Sequence, residues 1–94
     1  MKELELFYLE ECPYCVSARR AVEELRAEKE AYAALPIRWI EESEQPGLAE
    51  ARDYYYVPSV FLDGRKLYEA RPGQSHEAIR NALRRAFDEA LRAE

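Results

Sequence analysis

The chain has 94 residues, enough for a single domain spanning 1–94 and too few for two. Apolar residues make up 48% and charged residues 35%, which supplies both a core and a solvated surface and excludes a disordered or collagen-like chain. Nineteen acidic residues against fourteen basic ones leave a net charge of -5, a poor match for nucleic acid, and no apolar run approaches the roughly 20 residues that cross a bilayer.

The start Met1-Lys2-Glu3-Leu4-Glu5 lacks the basic end and apolar run of a secretory signal, so a cytoplasmic location is expected. Leu4, Leu6 and Tyr8 alternate with Glu3, Glu5 and Phe7, which predicts a strand that halts at Glu10-Glu11-Cys12-Pro13. From Tyr14 to about Tyr32, Ala18, Val22 and Leu25 recur at helical spacing among charged residues, with no Gly or Pro. The pattern predicts one long amphipathic helix. Pro36 introduces a second strand over Ile37 to Glu41, and Glu42-Ser43-Glu44-Gln45-Pro46-Gly47 closes it with a loop. Leu48 to Tyr55 reads as a short helix cut off before Pro58. Val60-Phe61-Leu62 and Lys66-Leu67-Tyr68 flank Asp63-Gly64-Arg65 as a β-hairpin. After the break Pro72-Gly73-Gln74-Ser75, Ile79, Leu83, Ala86, Phe87, Ala90 and Leu91 mark one face of a last helix, with Ser75 as its N-cap. The order is β-α-β-α-β-β-α. Its first βαβ unit implies a parallel strand pair and its hairpin an antiparallel one, hence an α/β fold with a mixed sheet.

The two cysteines, Cys12 and Cys15, sit in one Cys-Pro-Tyr-Cys. A bridge across so short a loop constrains little of the unfolded chain, so the pair points to chemistry rather than stapling. Where a strand hands over to a helix, a thiol faces unpaired backbone N–H groups and the positive end of the helix dipole, both of which favour the thiolate. Cys12 is therefore the expected nucleophile. Cys15, one turn deeper on the same side, suits a buried resolving thiol, and Pro13 fits a first helical turn. Glu10 and Glu11 act against the thiolate, and Arg19 and Arg20 offset them in part. A zinc site would need more soft ligands than His76 alone can add, so no metal is expected. Two inert buried cysteines fit poorly with so exposed a turn.

The remaining features have plainer readings. Val57-Pro58 is by itself a loop breaker, since only about 5–6% of X–Pro bonds are cis. Tyr54-Tyr55-Tyr56 is read as core and boundary packing, with a stacking surface as the alternative. Trp39 is read as core and His76 as a surface residue. Arg80, Arg84, Arg85 and Arg92 are read as a solvated helix face.

Taken together, Cys12-Pro13-Tyr14-Cys15 after the first strand, Val57-Pro58-Ser59-Val60-Phe61-Leu62-Asp63-Gly64 at the third, and the element order resemble the glutaredoxins of the thioredoxin superfamily, over the whole chain. The resemblance implies a thioredoxin fold with a central four-stranded mixed sheet, a disulfide reductase acting through a Cys12/Cys15 dithiol, and a cis Val57-Pro58 bond against the cysteines. It also implies that Pro13, Tyr14, Val57 and Pro58 contact the substrate, with the Val57 backbone pairing like an added strand. No bound cofactor is implied, because the electrons reside in the two sulfurs. The protein would work as a monomer on protein or small-molecule disulfides, with glutathione or a flavin-dependent thioredoxin reductase as reductant. The glutathione-binding pattern departs from the family's: Leu9-Glu10-Glu11 stands where a basic residue is usual, Tyr56 replaces the threonine before Val-Pro, and the Gly-Gly pair after the fourth strand has no counterpart. An acidic rim repels the anionic tripeptide, which shifts the expected reductant away from glutathione. The alternative is a glutathione-dependent module holding an iron–sulfur cluster between the Cys12 residues of two chains, although a proline after the first cysteine resembles the members without a cluster.

Overall fold

The computed structural model describes residues 3–93. Met1 and Lys2, where the leader expectation was placed, and Glu94 lie outside the described residues. Strand β1 (Leu4–Tyr8) leads into helix α1 (Pro13–Glu28), a short helix α2 (Glu30–Ala34) and strand β2 (Ile37–Glu41). A short helix α3 (Pro46–Glu50), strands β3 (Ser59–Leu62) and β4 (Arg65–Glu69), and helix α4 (His76–Arg92) follow. The sheet order is β2-β1-β3-β4. β1 and β2 run parallel from Leu4 opposite Ile37 to Tyr8 opposite Glu41, while β3 is antiparallel to both β1 and β4. The parallel pair and the antiparallel hairpin match the expected mixed sheet, while α2 adds a helix to the expected element order. Asp63 and Gly64, at φ 52° and 78°, form the two-residue turn of the hairpin, whose backbone suits the right-handed twist of the strands on either side.

Both faces of the sheet are covered. Leu4, Leu6, Val60 and Leu62 pack against Ala18, Val22 and Leu25 of α1 and Ile79, Leu83 and Phe87 of α4. On the opposite face Phe7, Ile40 and Phe61 form a smaller cluster with Leu48, Tyr54 and Val57. Phe7 had been assigned to the polar register of β1, and its burial follows from that second cover. The edge strands carry exposed charge: Arg38 on β2, and Arg65 and Lys66 on β4.

Two helix predictions need correction. The single long helix breaks at Lys29, whose backbone is extended. The break turns Tyr32 into the core, where its ring meets Phe87 edge-on at 5.4 Å and its hydroxyl donates to Asp88 at 2.6 Å. Arg26 donates to the carbonyls of Ala33 and Leu35 at the end of α2, where the last carbonyls have no partner within the helix. Burying the ring contributes about 1.5–3 kcal/mol, which outweighs a backbone bond of about 1 kcal/mol. Helix α3, expected over Leu48 to Tyr55, starts at Pro46, where a missing N–H costs nothing, and stops at Glu50.

Arg85 and Arg92 of α4 are exposed as expected, but Arg80 and Arg84 are not simply solvated. Arg80 reaches Glu24 at 2.9 Å and Arg84 reaches Glu28 at 2.7 Å, tying α4 to α1. His76, expected at the surface, is half-buried between the same helices: its Nδ1 lies 2.7 Å from Ser17 Oγ and its Nε2 2.9 Å from Glu24.

Candidate active site

Cys12 is the N-cap of α1, in extended geometry, and its carbonyl already accepts the Val16 N–H at 2.9 Å. Pro13 occupies the first helical position. The cap leaves the Cys12 side chain half exposed at the end of the helix, while Cys15, inside the first turn, is only 3% exposed. Both thiols are free. The buried sulfur is not without a partner, since the Leu9 N–H points at Cys15 Sγ from 3.4 Å. Burial nevertheless dominates and pushes the Cys15 thiol up to about 12; the Leu9 N–H opposes the shift, and the neighbouring Cys12 adds to it. One sulfur is thus open to solvent and its partner sits behind it, held as a thiol at neutral pH.

The third strand supplies the facing wall. The Val57-Pro58 peptide is cis, and the Val57 carbonyl oxygen lies 3.9 Å from Cys12 Sγ. Pro58 is buried. Its carbonyl accepts the Ala70 N–H at 2.9 Å, and the hydroxyl of fully buried Ser59 donates to the Tyr56 carbonyl at 2.6 Å. Cys12, Cys15, Val57 and Pro58 therefore converge, although 42 residues or more separate the two segments in the chain. Pro13 is exposed beside them. Tyr14 packs half-buried against the core, and its hydroxyl accepts the Gly73 N–H at 2.6 Å, which fastens the loop before α4 to the cysteine turn.

A shallow depression of about 310 Å³ opens beside Cys12 and is lined by Leu9, Glu10, Glu11 and Glu41. Arg19 offsets Glu10 at 3.3 Å, whereas Arg20, also expected to help, turns toward Glu24 at 3.8 Å. The Ser43 hydroxyl and nearby backbone N–H groups hold the Glu41 carboxyl below its usual range. The tyrosine run divides. Tyr54 packs on Phe7 and Phe61, while Tyr55 and Tyr56 are exposed and meet edge-to-face at 4.8 Å. Trp39, expected in the core, is only partly buried and stands edge-on to Tyr8 at 5.8 Å.

No protein-family model matches the chain, and no curated protein does either. Solved structures do. A thioredoxin 1 from the thermophilic eubacterium Thermosipho africanus superposes with a TM-score of 0.59 at 15% identity, covering 95% of this chain and 98% of that one. A mutant thioredoxin from Halobacterium salinarum matches with a TM-score of 0.56 at 26% identity, over 84% of this chain and 68% of that one. This chain has the thioredoxin fold. Within the thioredoxin fold seen here, the parallel pair β1 and β2 and the start of α1 place the two cysteines, and the entry to β3 places the cis proline across from them. Among the described residues no helix is long and apolar enough to cross a membrane, and no group of three or more His, Cys, Asp or Glu is placed to hold a metal ion.

Proposed function

We propose that the chain is a glutaredoxin-like thiol–disulfide oxidoreductase of the Cys-Pro-Tyr-Cys type, using Cys12 as nucleophile and Cys15 as resolving thiol. The observation that carries this reading is the half-exposed Cys12 at the α1 N-cap with the buried Cys15 thiol behind it and the Val57 carbonyl 3.9 Å in front. The Cys12 thiolate attacks one sulfur of a substrate disulfide; a Cys12–substrate bond forms, the substrate S–S bond breaks, and the departing thiolate takes a proton. Cys15 then gives up its proton and attacks the Cys12 sulfur. A Cys12–Cys15 disulfide forms, the second substrate thiolate leaves and is protonated, and two electrons have passed to the substrate. Burial of Cys15 keeps it from competing for the first attack.

Pro13, Tyr14, Val57 and Pro58 form the substrate contact, with the backbone of Val57 presented to an extended segment in the manner of strand addition. No bound cofactor is needed. A reductant must regenerate the dithiol, and Glu10, Glu11 and Glu41 beside Cys12 favour a thioredoxin reductase over anionic glutathione. The protein acts as a monomer in the cytoplasm. Cys12→Ser should abolish disulfide reduction, whereas Cys15→Ser should still attack and accumulate a mixed disulfide visible by mass spectrometry. Retained turnover in Cys12→Ser would remove this reading. Comparing the rates at which glutathione, and a thioredoxin reductase with NADPH, reduce the oxidised chain decides the reductant.

A further inference from the structure

The segment that carries Val57 forms no helix or strand between Arg52 and Pro58, so its backbone N–H groups need partners from elsewhere. Two of them share one. The N–H groups of Tyr55 and Tyr56 both donate to Oε2 of Glu69 at 2.7 Å. Glu69 is the last residue of β4 and lies opposite Ser59 in the strand register. Its other oxygen accepts from Lys66 Nζ at 2.7 Å, and the same ammonium donates to the Asp53 carbonyl at 3.2 Å. One carboxylate and one ammonium on an edge strand thus hold the loop at three backbone points. Charge-assisted bonds of this kind are roughly twice as strong as neutral ones.

The ladder between β3 and β4 is made by backbone groups and does not need these side chains. What they fix is the stretch just before Val57. From the other side, the Ser59 hydroxyl holds the Tyr56 carbonyl. Tyr56 also lines a groove of about 540 Å³ beside β4, together with Glu69 and Arg71, which leaves room for residues flanking a half-cystine.

We propose that Glu69 is a positioning residue for disulfide reduction: by fixing the backbone of Tyr55 and Tyr56 it sets the place of the Val57 carbonyl and presents the tyrosine pair to an extended peptide that carries the disulfide. The inference rests on the oxidoreductase reading. It goes beyond it by making peptide disulfides, rather than small ones, the substrates that depend on β4.

The test compares single turnovers of the prereduced full chain and its Glu69→Gln variant on two probes, a short peptide whose single cysteine carries a thionitrobenzoate leaving group, and hydroxyethyl disulfide. Glutamine replaces a charged double acceptor with a neutral one, so the half-saturating peptide concentration should rise about tenfold. The limiting rate with peptide and the rate with hydroxyethyl disulfide should move less than twofold, and the Tyr55 and Tyr56 amides should exchange with solvent faster while those of β3 do not. Lys66→Gln, which leaves both tyrosine bonds in place, should shift the peptide value in the same direction by less; it also serves if the first variant does not fold. Equal losses on both probes, or an unchanged peptide value despite faster amide exchange, would overturn the role given to Glu69. A parent protein inert toward both probes would instead remove the oxidoreductase reading itself, whatever the amides of Tyr55 and Tyr56 do.

Discussion

Replacing Cys12 with Ser isolates Cys15 and measures how strongly the fold suppresses it. An ordinary cysteine thiol titrates near 9, whereas burial holds Cys15 at about 12, a thousandfold less thiolate at pH 7. Of the lesser causes, the charge of Cys12 disappears in the variant; desolvation, the largest, stays. Iodoacetamide reacts with thiolate, and at 3% exposure Cys15 is also sterically shielded. The variant should therefore be alkylated at pH 7 at least about a hundredfold more slowly than the same chain unfolded in denaturant, and its rate should still be climbing above pH 9. Quenched-time-course mass spectrometry gives both rates. Labelling of folded Cys12→Ser within tenfold of the unfolded rate would refute the account of Cys15 as a buried thiol that enters only after Cys12 has been captured.

Three further outcomes follow from named contacts. Replacing Glu10 and Glu11 with Lys should raise the glutathione-dependent rate, and the gain should shrink as salt screens the rim; no gain at low salt would make the missing glycine pair, not the acidic rim, the obstacle to glutathione. Tyr32→Phe removes the 2.6 Å bond to Asp88 from a ring that is otherwise fully buried, and should cost about 1–2 kcal/mol in chemical denaturation without altering Cys12 alkylation. Lys66, and then the Tyr56 and Tyr55 amides, hold the Glu69 carboxyl down at about 2 against the effect of burial. Its folded value lies below its unfolded one, so this anchor contributes in full above about pH 4.3 and is lost as pH falls toward 2. Protection of the Tyr55 and Tyr56 amides should follow that window in hydrogen exchange.

The cysteine turn was legible because its signals are local: a strand pattern, a proline suited to a first helical turn, and an apolar period immediately after it. The hairpin was legible through Asp63-Gly64 for the same reason. The break at Lys29 was not, since lysine is a good helix former and the cause is Tyr32 reaching Phe87 and Asp88, far along the chain. Phe7 was placed on a polar face because alternation assumes one wet side, whereas α3 and the tyrosine loop cover the second side here. Glu69 gave no signal at all. In sequence it is one more acidic residue near a lysine, and the amides it binds lie 13 and 14 positions earlier. His76 was misjudged in the same way, because Ser17 and Glu24 approach it only when α1 and α4 pack.

The charges on the two outer strands bear on how such a protein behaves at high concentration. A sheet with open edges can add strands from any neighbouring chain, and a protein that offers backbone at Val57 to extended segments runs that risk more than most. Arg38 on one edge and Arg65 on the other would confront like charges if two copies met edge to edge. Self-association is thereby discouraged along both outer strands, while the Val57 segment, lying inside neither of them, stays open. Neutralising Arg38 and Arg65 should lower the concentration at which the chain begins to aggregate and leave its chemistry at Cys12 untouched.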